Sequence, residues 1–142
     1  MVREFVYSLA AVSPSDGGLA SLVMPWVDTE IMSIFLAHVA KVFSDDFCIM
    51  FLDGAGWHRA NNLRVPENMK LLFLPPYSPE LNPAEPLWDH LQENYFANRV
   101  FDSLDAVEET LCAALRNLIE NPEKVRSMTN YSWLNTLSMT AN

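Results

Sequence analysis

The sequence predicts a mixed α/β layered domain, on three observations. Two apolar stretches near the start flank the turn Ser13-Pro14-Ser15-Asp16-Gly17-Gly18, a continuous apolar run over residues 47–52 ends in Asp53, and helical apolar periodicities follow residues 28 and 102. A chain of 142 residues suits one domain around one hydrophobic core.

Taken in order, residues 4–12 read as a strand, and a turn of Pro, Asp and two Gly before a second strand over residues 19–24 makes a hairpin. Asp28 or Thr29 can cap the next helix. Ile31, Ile34, Phe35, Val39, Val42 and Phe43 fall at helical spacing and predict one apolar face. Residues 47–52 show no polar alternation, the pattern of a strand buried on both faces of a parallel sheet. Gly54 and Gly56 break that run, a short helical stretch fits residues 57–63, and residues 71–74 are a second apolar run stopped by Pro75 and Pro76. Residues 77–82 form a loop, and a helix is expected from Pro83 to about Phe96. Another helix starts at Asp102 or Ser103, with Leu104, Val107, Leu111, Ala114, Leu115 and Leu118 on one stripe, and Asn121-Pro122 opens a last short one. Residues 1–130 are thus read as the domain and 131–142 as a C-terminal tail.

Half of the residues are apolar, yet no apolar run is long enough to span a membrane. Arg3 and Glu4 interrupt the start, so the pattern of a signal peptide is lacking. A soluble cytoplasmic protein with no membrane partner is expected. Cys48 and Cys112 lie in apolar stretches without metal-ligand spacing, which reads as two buried, reduced thiols. The net charge of −9 argues against a large basic surface and against simple electrostatic capture of nucleic acid. Arg59, Arg64 and Lys70 are the basic residues nearest the motifs below, either solvated surface charges or phosphate contacts.

Two carboxylates stand out. Asp53 lies where the apolar run ends and a Gly-containing loop begins, the position at which active sites of open α/β sheets gather. Asp before Gly is also ordinary turn chemistry. Glu85 follows Asn82 by three residues at a helix start, with Asn82 as N-cap and Pro83 as the first helical residue. Such a Glu can close a capping box or aim its carboxylate at a metal. Asp89 lies one turn after Glu85 on the same side and can support a metal site or stand as an exposed helix carboxylate. His58 can contact a phosphate, orient a ligand or be structural, and Tyr77, in the Pro-rich loop, can stack on a base or pack.

The segments IMFLDGAGWH (residues 49–58) and LPPYSPELNPAEPLWDHL (residues 74–91) together resemble the second and third acidic motifs of bacterial insertion-sequence transposases in the mariner-like DDE superfamily. The second segment carries the more specific match: the Pro-Tyr-Ser-Pro loop, the Glu-Leu-Asn-Pro step, the acid two residues later and the Leu-Trp pair, in order. The opening YSLAAVSPSDGGL and the segment NRVFDSLDAV are also similar, so the likeness extends to about residue 130. The resemblance implies a ribonuclease H-like, retroviral-integrase-like mixed sheet flanked by helices. It makes Asp53 the second and Glu85 the third catalytic, metal-binding carboxylate, with 31 residues between them. It leaves His58, Asn82 and Asp89 as accessory candidates, and Arg59, Arg64 and Tyr77 as candidate DNA contacts. Two Mg²⁺ or Mn²⁺ ions would serve the complete site, clamping the attacking and leaving oxygens of a phosphodiester. The implied reactions are cleavage at transposon ends and strand transfer into target DNA. A ribonuclease H-like nuclease acting on RNA–DNA hybrids is a less fitting alternative.

Family members carry a further acidic residue on a first, central strand upstream of the hairpin. Asp16 sits at the hairpin tip and Glu4 in what resembles the second strand, so neither replaces it. The chain is therefore expected to be N-terminally truncated, to lack the first central strand and to be inactive alone. Its partner would be the missing N-terminal part or another transposase subunit. A non-enzymatic remnant, or a module that co-assembles with intact transposase, is the alternative. Without the first strand, its neighbours would stand roughly 10 Å apart, with unpaired edges. They could then collapse together, take a strand from a second polypeptide, or leave the chain marginally folded.

Overall fold

The computed structural model of the chain describes residues 7–52, 62–73 and 84–129. The elements run β1 (Tyr7–Ser13), β2 (Gly18–Met24), α1 (Thr29–Val42), β3 (Cys48–Leu52), β4 (Met69–Phe73), α2 (Glu85–Leu91), a π-turn (Gln92–Phe96), α3 (Leu104–Ile119) and α4 (Pro122–Thr129). This is a mixed α/β chain, as the sequence predicts. It divides into two compact units: the base of the β1–β2 hairpin with α1, β3 and β4, and the hairpin tip with α2, the π-turn, α3 and α4.

In the first unit, Asp28 caps α1 with its side chain accepting from the Ile31 N–H at 2.8 Å, as its position before an apolar periodicity requires. The buried side of α1 is broader than expected and rotated. Met32 and Leu36 are buried with Ile31, Phe35 and Val39, whereas Ile34 and Val42 are 44% and 46% exposed. The reason is that α1 packs against two ribbons. One core cluster gathers Ala20 of β2, Met50 of β3 and Met69 of β4 around Met32, Phe35, Leu36 and Val39, with Leu9, Leu22, Leu52 and Leu71 against it. Full burial of a side chain such as Leu36 stabilises by roughly 1.5–3 kcal/mol, so this cluster dominates the unit.

Strands β3 and β4 are parallel and in register from Cys48↔Met69 to Leu52↔Phe73. The parallel expectation for this run holds, but burial on both faces does not. Cys48, Met50 and Leu52 turn toward the core, while Ile49 and the flanking Phe47 are 56% and 64% exposed. Among the described residues β1–β2 and β3–β4 form two separate two-stranded sheets rather than one mixed sheet. The connection from β3 to β4 is tied to α1 by side chains. The Ser33 hydroxyl donates to the Thr29 carbonyl at 2.9 Å and accepts from the Arg64 backbone N–H at 3.0 Å. The Asn68 amide donates to the carbonyls of Ala40 and Asp46.

In the second unit the hairpin tip is a tight turn. The Gly17 N–H donates to the Ser13 carbonyl at 2.8 Å, and the Gly18 N–H to the Asp16 carboxylate at 2.8 Å. Gly17 has φ +78°, a left-handed conformation that favours glycine, and it lies against the Pro122 carbonyl. Ser103 caps α3 by accepting from the Ala106 N–H, and Ala114, Leu115 and Leu118 of the expected stripe are buried. Val125 and Thr129 are the buried residues of α4, with the Thr129 hydroxyl turned back on the Val125 carbonyl at 2.7 Å. The expected helix over residues 83–96 is a seven-residue α-helix from Glu85 followed by the π-turn, closed by an Ala97 N–H to Gln92 carbonyl bond of 2.7 Å. Residues 131–142, the expected tail, lie outside the described residues. So do residues 57–61 of the expected helical stretch over 57–63, and its last two residues are not helical.

Candidate functional site

Strands β3 and β4 end side by side, at the pair Leu52↔Phe73. Asp53 is the next residue after β3, and the segment 74–91 is the next after β4. Both motif-bearing segments therefore leave the carboxyl edge of one parallel strand pair, the edge at which α/β sheets place their chemistry. A hydrophobic core under that strand pair fixes both departure points. Asp53 itself lies outside the described residues, as do His58, Arg59, Tyr77 and Asn82.

Glu85 is the first residue of α2, with Ala84 as N-cap. This corrects the expectation that Asn82 caps the helix and Glu85 is its third residue. Ala84 has no side-chain oxygen, the cap makes no side-chain hydrogen bond, and Pro86 follows in the first turn, where its missing N–H costs nothing. Glu85 is half-buried, and its carboxylate has no hydrogen-bond or ion-pair partner among the described residues. A carboxylate without a protein partner offers hard oxygen ligands to a cation. One turn on, Asp89 is exposed and likewise unpaired among the described residues. Leu87 and Leu91 of α2 are buried in its unit's core, which fixes the side on which Glu85 stands.

Among the described residues no group of three His, Cys, Asp or Glu side chains is placed to hold a metal. Arg64 is exposed and is held through its backbone N–H rather than its guanidinium. Both thiols are free and half-buried, and burial, reinforced by Asp46, pushes the Cys48 thiol up from its ordinary pKa. The polar cluster that the sequence reading missed is His90 with Asn94. The Asn94 amide lies 2.8 Å from the His90 carbonyl and 3.1 Å from His90 Nδ1. Its signal in the sequence is only the i,i+4 spacing, and the π-turn that shapes the pair has no sequence signature. No helix among the described residues is long and apolar enough to cross a membrane.

A family model described as DDE superfamily endonuclease matches residues 3–108, a span that holds both motif segments and the strand pair. The chain belongs to the DDE superfamily endonucleases. Similarity also extends to a relative named "Uncharacterized protein y4pE/y4sA" from Sinorhizobium fredii (strain NBRC 101917 / NGR234). It is 40% identical over 130 residues, which cover 91% of this chain and 96% of the relative. No solved structure matches the chain. Within this DDE superfamily chain, Asp53 and Glu85 both fall inside the family span, and α4 lies beyond it.

Proposed function

We propose that this chain is a catalytic segment of a DNA transposase of the mariner-like insertion-sequence type, in which Asp53 and Glu85 bind a divalent cation. The observation that carries the reading is the shared carboxyl edge of β3 and β4, from which the segments bearing both acids depart. The family match over residues 3–108, to a DDE superfamily endonuclease, supports cleavage of DNA as the reaction class. The donor chemistry fits. Two carboxylates offer the hard oxygens that Mg²⁺ and Mn²⁺ prefer, and Glu85 stands half-buried with its carboxylate unclaimed by any described residue. When bound, such ions supply electrostatic stabilisation of the phosphodiester's reacting oxygens. The protein's own part is positional. The core beneath β3 holds the strand that delivers Asp53, and Leu87 and Leu91 hold the helix that delivers Glu85. A ribonuclease H-like sheet is the architecture this reading entails. The substrates are transposon ends and target DNA, and the partner is another transposase segment or subunit.

The test is cleavage of duplex DNA carrying transposon ends, with Mg²⁺ or Mn²⁺, by the chain alone and together with a second transposase subunit. Asp53→Asn or Glu85→Gln abolishes cleavage in the active assembly on this reading. Normal cleavage by either variant ends it. Preference for RNA–DNA hybrid over duplex would instead favour a different nuclease.

A further inference from the structure

The carboxamide of Asn94 is oriented by a partner that can only accept. The His90 carbonyl, 2.8 Å away, must face the amide nitrogen rather than the amide oxygen. That same nitrogen lies 3.1 Å from His90 Nδ1, so Nδ1 has to be the acceptor and carries no proton. His90 is thereby fixed as the neutral tautomer with its proton on Nε2. Nε2 is buried and has no hydrogen-bond partner among the described residues. A second proton would set an Nδ1–H against the Asn94 amide N–H, donor against donor. If the amide turns in answer, it gives up its bond to the His90 carbonyl.

We infer that the His90–Asn94 pair is a proton-sensitive latch on the π-turn, closed while the imidazole is neutral and opened when it is protonated. Asn94 is a residue of the π-turn itself, and the Ala97 N–H closes that turn on the Gln92 carbonyl at 2.7 Å. The latch joins the turn to the C-terminal half of α2, the helix that opens with Glu85. Burial is the largest influence on the imidazole and holds it below its ordinary pKa. The charged groups acting on it come from two elements. Lys124 of α4 opposes a positive charge there, and Glu93 of the π-turn favours one. The Tyr95 ring stands edge-on, 6.4 Å away between centroids. The latch does not depend on the role of Glu85 or on any metal.

The test is NMR of the full chain, reading the His90 imidazole nitrogens and the hydrogen-exchange protection of the Ala97 amide across a pH titration. The expected result is an Nε2–H tautomer at neutral pH, with loss of Ala97 protection as His90 takes up its second proton. Asn94→Asp, whose carboxylate can accept from Nδ1–H, moves the His90 titration to higher pH. An Nδ1–H tautomer, or Ala97 protection that does not change through the His90 titration, overturns the inference. The wild-type measurement decides this even if the variant does not fold.

Discussion

Replacing Gly17 with Ala is the substitution whose cost the structure defines most closely. Gly17 has φ +78°, and a Cβ added there would overlap the Pro122 carbonyl oxygen and lie 2.6 Å from its carbon and 3.0 Å from the Pro122 Cα. All three are backbone atoms, so no rotamer change relieves the contact. The left-handed conformation alone costs an L-residue about 1–2 kcal/mol. Forcing extra volume into a packed contact adds about 1–3 kcal/mol. Gly17→Ala should therefore destabilise by about 2–5 kcal/mol, a large share of the roughly 5–15 kcal/mol typical of a domain. Gly17→Asn separates the two causes, because Asn tolerates the left-handed region but still carries a Cβ. On this account Asn recovers only the conformational part. Urea unfolding followed by tryptophan fluorescence, using the 4 tryptophans of the chain, reads both variants. An unchanged midpoint for Gly17→Ala would refute the packing of the hairpin tip on Pro122.

Three further outcomes follow from the same structure. Ser33→Ala leaves the Thr29–Ser33–Arg64 arrangement without the acceptor for the Arg64 N–H, and should cost about 1–3 kcal/mol in the same unfolding assay. Asp28→Ala removes the cap on the Ile31 N–H and should cost about 0.5–2 kcal/mol, with Asp28→Asn nearly neutral. Stability should also decrease through His90 as the solution is acidified. Its folded pKa is lowered, by burial first and Lys124 second, so the unfolded chain binds the proton more readily. The His90 contribution is intact above the unfolded value of about 6.5 and is lost as pH falls from there toward the folded pKa, where the loss levels off. Comparing urea midpoints of wild type and His90→Gln across that window checks the sign, and the wild type alone should show this part of the decline.

Much of the fold was legible because local chemistry announces it. Asp28 before an apolar periodicity, Ser103 before another, and Pro, Asp and Gly between two apolar stretches each specify a boundary that the structure shows. The side of α1 that is buried was not legible. Ile31, Met32, Ile34, Phe35, Leu36, Val39 and Val42 are all apolar, so periodicity alone could not decide among them, and packing against two ribbons selected Met32 and Leu36 over Ile34 and Val42. The apolar run ending at Leu52 indicated the parallel pairing but not the exposure of Ile49, because composition does not reveal whether a second layer covers that face. The start of α2 at Glu85 and the π-turn after it depend on backbone geometry that Asn, Pro and Glu in sequence do not determine. For the candidate site, the sequence points to Asp53 and Glu85 only through their motifs, and the structure adds that β3 and β4, the strands before those motif segments, end at one shared edge.

The central claim is that Asp53 and Glu85 bind a divalent cation together, and Mn²⁺ binding to the whole chain, read by electron paramagnetic resonance, tests it most directly. The account predicts saturable binding by the wild type that is lost in both Asp53→Asn and Glu85→Gln, with the urea midpoint of each variant showing that it remains folded. Equal Mn²⁺ affinity in the wild type and in either folded variant would contradict it.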